Sequence, residues 1–107
     1  MKKELIINKK KYELPKMDVD TYMEYLRVRE SIMGTGNGMY TVQQFQDMMD
    51  CICLVYGNQF TVEELKDRET GLSVSEIIME FVAIEGAVGK EVDGKIDKFR
   101  ENFLNGK

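Results

Sequence analysis

TVQQFQDMMDCICLVYGN, residues 41–58, has the pattern of one amphipathic helix with a signal at each end. Thr41 precedes Gln44 by three residues, which is the spacing of a capping box at a helix N-terminus. Gly57 and Asn58 follow the last apolar residue and end the helix in the usual C-terminal manner. Between these ends, apolar residues recur at steps of three and four, which predicts a helix with one apolar face. That face consists of Val42, Phe45, Met49, Ile52 and Tyr56.

Two further helices are predicted downstream, each from a hydroxyl residue that precedes a glutamate by three positions. The first pair is Thr61 and Glu64, and the short helix that it starts covers Val62 to about Arg68. The second pair is Ser73 and Glu76, and it starts a longer helix.

This longer helix begins at Val74 and has a broad apolar face. The face consists of Val74, Ile77, Phe81, Ile84 and Val88, with Ile78 and Val82 beside it. Gly86, Gly89 and Gly94 follow and are expected to weaken the helix, because glycine is a poor helix former.

An amphipathic stripe lies beyond these glycines, with spacings of four, three and four residues. We call Val92, Ile96, Phe99 and Phe103 the C-terminal stripe. Two interpretations stay open: the stripe folds back onto the core, or it is reserved for another chain. We expect residues 1–88 to form a single globular domain of hairpin and helices, and residues 89–107 to form a glycine-interrupted amphipathic segment.

Upstream, residues 3–14 have the pattern of two short strands around a turn at Asn8 to Lys10. Asparagine tolerates the left-handed conformation that a tight hairpin needs. Pro15 ends the second strand, because proline cannot donate a ladder hydrogen bond. A lone hairpin is marginal in water, so one of its faces must pack on the helices.

Another helix is predicted between the hairpin and the central segment. It begins near Asp18 or Asp20, whose carboxylates can accept hydrogen bonds from free N-terminal amides. It runs to about Met33, where the glycine-rich residues 34–38 end it. The predicted fold is therefore α+β and mainly α, with an N-terminal β-hairpin packed on a small bundle of about four helices.

The composition restricts the classes of function. The 107 residues are 43% hydrophobic and 32% charged, which is typical of one globular domain. A net charge of -4 argues against nucleic acid as a partner, because phosphate binding needs a basic surface. The sequence contains no histidine, the commonest general base and zinc ligand. We therefore expect a protein without catalytic residues, cofactor or metal.

Residues 1–16 contain six lysines and two glutamates, a net +4, which leaves -8 for the remainder. This split can attract an acidic partner or dock one copy's hairpin against the helices of a neighbour. Alternatively, the lysines keep exposed strands from aggregating.

The location is expected to be the cytoplasm of the cell that makes the protein. No run approaches the roughly 20 apolar residues of a membrane span, and the N-terminus lacks the apolar core of a signal peptide. Cys51 and Cys53 are two residues apart, so on a helix they point in different directions and cannot share a metal by themselves. We interpret them as small apolar residues in a reducing compartment.

The sequence contains eight methionines among its 107 residues, and this methionine content points to two possible roles. Methionine adapts its shape, and methionine-rich surfaces recur where a protein grips a pliable or varied partner. Gap-filling in a small core is the other interpretation. Met48 and Met49 are adjacent on the central helix, so they cannot both point to the same place.

The order and character of these segments resemble a known family. The hairpin has the form Lys-x-Leu-x-Ile-Asn-x-Lys-x-Tyr-Glu-Leu and precedes an Asp-capped helix that contains Tyr and Met. The central helix ends in VYGNQFT, residues 55–61, and a short Glu-Glu-Leu helix follows. Over residues 3–85 this resembles the tail assembly chaperones of long-tailed, siphovirus-type bacteriophages and prophages of low-GC Gram-positive bacteria.

The resemblance implies a non-catalytic factor of the host cytoplasm. Such chaperones bind the long, helical, aggregation-prone tape measure protein and help the tail tube protein to polymerise around it. The family has no catalytic, cofactor-binding or metal-binding residues to carry over. Residues that we expect to contact the tape measure protein are Met48, Met49, Ile96, Phe99 and Phe103. A homo-oligomer of the chain is a further expected assembly.

In many members of that family, ribosomal frameshifting near the end of the gene produces a longer form, which is a further expected partner. Codons AAU-UUU-UUA for Asn102, Phe103 and Leu104 contain the slippery sequence U-UUU-UUA, so we expect the gene to use them and to overlap a second open frame. The alternative from another class is a small structural virion protein, such as a head–tail connector component.

Overall fold

The structure is a computed structural model, which describes the backbone of residues 3–33 and 40–105 and the side chains of residues 3–33 and 40–89. Its elements are β1 (Glu4–Ile7), β2 (Lys10–Glu13), α1 (Val19–Met33), α2 (Val42–Val55), α3 (Val62–Leu65) and α4 (Val74–Asn105). A hairpin followed by four helices confirms the predicted α+β, mainly α class. The predicted glycine-rich connector, residues 34–38, lies outside the described residues.

The hairpin turns at two residues, Asn8 and Lys9, whose φ angles are 52° and 65°. Positive φ at both positions is the geometry of a type I′ turn, which matches the twist of the flanking strands. The strands are antiparallel, with Leu5 opposite Tyr12. Because side chains alternate along a strand, Leu5, Ile7 and Tyr12 share one face, and all three are buried.

This buried face packs on the segments that follow α2 and α3. The ring of Tyr12 meets the ring of Phe60 edge-on, with centroids 5.0 Å apart. The backbone N–H of Asn8 donates to the carbonyl of Thr70 at 3.1 Å. The hairpin is therefore held by the helical part of the molecule, as its small size requires.

The three predicted capping boxes are present. At α2, the backbone N–H of Gln44 donates to Thr41 Oγ1 at 3.1 Å, and the backbone N–H of Thr41 donates to Gln44 Oε1 at 2.9 Å. The same reciprocal bonds begin α3 and α4. Their members are Thr61 with Glu64 and Ser73 with Glu76.

The predicted end of α2 is also confirmed. Gly57 and Asn58 have φ angles of 71° and 57°. The N–H of Gly57 donates to Leu54 O, and the N–H of Asn58 donates to Cys53 O, both at 2.9 Å. These two bonds form a Schellman motif, which satisfies the last carbonyls of the helix.

α3 is shorter than predicted, because it ends at Leu65 and not near Arg68. The carboxylate of Asp67 accepts the backbone N–H groups of residues 69 and 70 at 2.9 and 3.0 Å. This local turn competes with continuation of the helix. Gly71 completes the turn, since a Cβ there would lie 2.5 Å from the carbonyl oxygen of Leu65.

α1 begins after Asp18, whose Oδ1 accepts the N–H of Thr21 at 2.8 Å, and it packs against α2. α2 also packs against α3 and α4, so it is the central helix of the molecule. Its central position explains why more of α2 is buried than the single predicted face. The additional buried residues are Met48, Cys51, Cys53 and Val55.

Two residues assigned to apolar faces are exposed instead. Val42 and Val74 are the first residues of α2 and α4, and both lie at the surface. The spacing of apolar residues predicts which side of a helix is apolar, but it does not predict how much of that side a neighbouring element covers. In both helices the covered part of the apolar face begins one turn after the first residue. The core of α4 consists of Ile77, Phe81 and Ile84.

α4 is one helix of 32 residues, about 48 Å long, and it continues through Gly86, Gly89 and Gly94. The segment after Gly89 is therefore not a separate helix that turns back onto the body. The side chains of the C-terminal stripe lie outside the described residues. The domain boundary at residue 88 stays a prediction.

Candidate functional site: an apolar double groove

Two apolar grooves lie side by side on the helical face of the molecule. Groove 1, with a volume of ≈ 530 Å³, lies between the start of α2 and the start of α4. Its lining residues include Val42, Phe45, Met49, Val74 and Ile78. Groove 2, with a volume of ≈ 270 Å³, lies between the end of α1 and α4. Its lining residues include Ile32, Met33, Met48, Phe81 and Val82.

Tyr40 and Ile78 line both grooves and form the ridge between them. The two grooves therefore form one surface, which we call the double groove. Its floor is made by core residues of α2 and α4, so its shape is set by the same packing that holds the fold together.

The rims of the double groove carry exposed apolar side chains. Val42 is 81% exposed and Val82 is 60% exposed, while Val74 and Met33 are exposed as well. Scattered apolar residues at a surface are ordinary, but a contiguous apolar surface marks a site of interaction. Four exposed apolar residues around two connected grooves make the double groove the candidate for such a surface.

Helix capping holds groove 1 in place. Val42 and Val74 each follow a capping-box residue directly, so their backbone positions are fixed by reciprocal hydrogen bonds. The Gln44 side chain also donates from Nε2 to the carbonyl of Ser31 at 3.0 Å, which ties the start of α2 to the end of α1. Local hydrogen bonds thus fix the backbone at both edges of groove 1.

Charged groups lie at the edges of the double groove. Lys66 borders groove 1. Arg29 and Glu85 border groove 2, and their charged atoms are 2.6 Å apart. The hydrogen bond to Glu85 raises the pKa of Arg29, so the guanidinium of Arg29 keeps its positive charge. Apolar walls with a few charges at the edge favour binding of apolar side chains from an amphipathic partner.

The structure places the two predicted methionines in the floor of the double groove. Met49 lines groove 1 and Met48 lines groove 2, so the adjacent residues do point to different places. Both are buried, which also fits the gap-filling interpretation. Their contact with a partner stays a prediction. Ile96, Phe99 and Phe103 have side chains outside the described residues.

Sequence reasoning missed a buried carboxylate on α4. Glu80 is only 7% exposed and receives two hydrogen bonds, from Lys3 Nζ and from the hydroxyl of Tyr56, each at 2.8 Å. Burial, followed by the bond to Glu80, raises the pKa of Tyr56. The trio connects the start of the hairpin and the end of α2 to α4, and Lys3 Nζ also donates to the carbonyl of Glu4 at 3.1 Å. These bonds hold three parts of the fold together, which is a structural role.

The cysteines and acidic residues offer no metal centre in the described part of the chain. Burial raises the pKa of Cys51 to about 12 and that of Cys53 to about 11, so both thiols stay protonated near neutral pH. Among residues 3–33 and 40–89, no three metal-binding side chains lie close enough together to hold an ion. Within the same described residues, no helix has the length and apolar content to cross a membrane.

Comparison with known proteins gives one clear relationship. A family model described as a phage tail chaperone protein matches residues 1–106. No curated protein and no solved structure matches the chain. The family match covers the hairpin, all four described helices and the residues that form the double groove.

Proposed function

The chain belongs to the phage tail chaperone family, and on that premise we propose that it binds the tape measure protein and assists assembly of the tail tube without catalysing a reaction. The observation that carries this proposal is the double groove with its exposed rim. A contiguous apolar surface on preformed elements is suited to holding another polypeptide.

The proposed partner supplies the complementary surface. An unassembled tape measure protein is a long helical chain whose apolar stripes are prone to aggregate. One such stripe, lying across the ridge of Tyr40 and Ile78, places one apolar side chain in groove 1 and another in groove 2. Apolar residues at positions i, i+3, i+4 and i+7 of a helix provide this arrangement.

The net charge of -4 supports the role of a solubilising cover. The bound tape measure protein, which we call the client, has its apolar stripe buried, and the negative charge of the chaperone makes the complexes repel one another. Contacts of the helix-in-groove kind are reversible, so polymerising tube subunits can displace the chaperone. The C-terminal stripe is a second surface proposed to contact the client.

The proposed location and the proposed longer form of the protein rest on the resemblance to tail assembly chaperones. The chain acts in the host cytoplasm, where tails are assembled, and it works together with a longer frameshifted form of itself. The gene sequence tests the longer form, since codons other than UUU-UUA for Phe103 and Leu104, or the lack of an overlapping frame, would remove its support.

Co-expression with the tape measure protein tests the proposal. The fraction of tape measure protein in the soluble part of the lysate should rise with the wild-type chain, and Val42→Glu should abolish most of the gain by placing a charge on the rim of groove 1. Val19→Glu is the matched control: Val19 is 74% exposed, is also the first residue of its helix, and does not line either groove. Equal loss with both variants, or no gain with the wild type, would count against the double groove.

A further inference from the structure

One face of α4 carries a continuous heptad pattern that extends from the body to the end of the helix. Its first half is Ile78, Val82, Glu85 and Gly89, and its second half is the C-terminal stripe. The spacings alternate between four and three residues without a break from residue 78 to residue 103. This alternation is the pattern of a coiled-coil seam, in which every such position faces a partner helix.

The first half of the seam lines a trench on the described surface. Ile78, Val82 and Glu85 line groove 2. Glu85 and Gly89 line a further depression of ≈ 330 Å³ between α1 and α4, which we call groove 3. Arg29 borders both grooves, so they lie end to end along α4. The seam thus begins as a recess.

The two halves of the seam match in length. Residues 78–89 and residues 92–103 each span eleven helical steps, about 17 Å. The first half borders a recess, and the second half ends in two phenylalanines, Phe99 and Phe103. Because α4 is one helix from Val74 to Asn105, a chain cannot bring its own second half back to its own recess.

We propose that two copies of this chain pair through α4, antiparallel, around a two-fold axis between residues 90 and 91. In this register, Phe103 of one copy lies opposite Ile78 of the other, and Phe99 lies opposite Val82. Val92 lies opposite Gly89, where an added Cβ would meet no atom within 4 Å in the described chain. The small residue there gives room for a close approach of the two helices.

The antiparallel direction is favoured by the same residues. A parallel pair in register would bring Glu85 against Glu85 and Gly89 against Gly89, which gives repulsion and a void. The antiparallel pair places Ile96 opposite Glu85, whose carboxylate is held by Arg29 at 2.6 Å.

Charge and symmetry favour a second copy as the occupant. Residues 1–89 contain ten basic and fifteen acidic side chains, a net -5, whereas residues 90–107 contain five basic and four acidic, a net +1. The C-terminal half of α4 is therefore a segment that the acidic body does not repel. A two-fold axis also makes each contact twice, as in most homodimers.

The mass of the full-length chain in solution tests the pairing. Light scattering across roughly 10–100 μM protein should show a rise towards twice the 12.4 kDa of one chain. Val82→Glu should weaken self-association at least about tenfold, because it buries a charge in the seam. The matched control Met23→Glu changes an equally exposed residue, 61% against 60%, away from the three grooves and should leave the mass unchanged.

Cysteine cross-linking tests the direction. Mixing Val82→Cys with Phe99→Cys should give a disulfide-linked pair under mild oxidation, and neither variant should cross-link alone. The native cysteines are buried and stay protonated near neutral pH, so they do not compete.

A monomer at every concentration, or equal masses for wild type and Val82→Glu, would overturn the pairing. Cross-linking of Phe99→Cys with itself, or no cross-link in the mixture, would overturn the antiparallel direction. The pairing does not rest on the proposed function, since none of these experiments contains the tape measure protein.

Discussion

Glu80 is a buried glutamate whose two carboxylate oxygens are both hydrogen-bonded. Its two oxygens accept hydrogen bonds from Lys3 and Tyr56, and each donor belongs to a different part of the chain. A carboxylate is tolerated at this depth because both partners are present. Removing it leaves the buried hydroxyl of Tyr56 without this acceptor and takes the ion-pair partner from Lys3, whose Nζ keeps its bond to the carbonyl of Glu4 at 3.1 Å.

Replacing Glu80 with alanine should therefore lower the free energy of unfolding by about 2–4 kcal/mol. Urea unfolding followed by circular dichroism measures the change. Glu30→Ala, an exposed glutamate on α1, is the control and should alter stability by less than about 0.5 kcal/mol. Equal losses for both variants would show that Glu80 is no more than a surface charge.

The buried thiols make stability depend on pH at the alkaline end. Cys51 and Cys53 have pKa values of about 12 and 11 in the folded chain, raised by burial from an ordinary 9.0. The unfolded chain therefore releases these protons at lower pH than the folded chain. The contribution is complete below about pH 9 and is lost as pH rises towards 11–12.

We expect the free energy of unfolding to fall between pH 9 and pH 11. Each thiol that is ionised only in the unfolded chain contributes a slope of about 1.4 kcal/mol per pH unit. Urea titrations at a series of pH values measure this slope, and Cys53→Ala should reduce it. A profile that is flat over this range in the wild type would contradict the burial of the thiols.

Residue identity alone did not reveal Glu80, since a glutamate on a helix is usually exposed. The one available signal was its position, three residues after Ile77 and four before Ile84, within the apolar face of α4. What keeps it there is Lys3, which is 77 residues away in the chain. A partner so distant in sequence is brought close only by the tertiary structure, so the residues around Glu80 do not indicate it.

At the scale of elements, local chemistry predicted the boundaries well. The capping boxes, the turn at Asn8 and the end of α2 at Gly57 depend on residues within a few positions of one another. α3 was predicted too long because the side chain of Asp67 accepts two backbone N–H groups and replaces the next helical turn. The glycines of α4 were expected to weaken a helix that in fact continues through them.

Two glycine substitutions should have opposite effects. Gly86→Ala should raise the free energy of unfolding by up to about 1 kcal/mol, because alanine is a better helix former than glycine in the middle of a helix. An added Cβ at this position would meet no other atom within 4 Å. Gly71→Ala should lower the free energy of unfolding, because the new Cβ would lie 2.5 Å from backbone atoms of residues 65 and 67. Thermal unfolding of the two variants checks this, and a shift of the same sign in both would contradict the assigned geometry.

At the scale of the whole molecule, α4 combines two roles. Its first half closes the core and lines the double groove, and its second half continues the same face beyond the body. If the pairing through α4 holds, a client that enters groove 2 competes with a second copy. Addition of client should then reduce self-association of the wild-type chain.

The candidate site was only partly predictable. Periodicity identified the apolar residues of α2 and α4, and the methionine content directed attention to Met48 and Met49. The grooves lie between α2 and α4 and between α1 and α4, so their exposed rim at Val42 and Val82 depends on how these helices are placed against one another. That is a property of the packed molecule.

Whether the double groove binds the tape measure protein can be measured by nuclear magnetic resonance of the valine methyl groups, while a helical segment of that protein is titrated in. The resonances of Val42, Val74 and Val82 should shift together and saturate, while those of Val19 stay in place. Saturating shifts at Val19 with none at the three groove valines, or no shifts at any of the four, would contradict this binding.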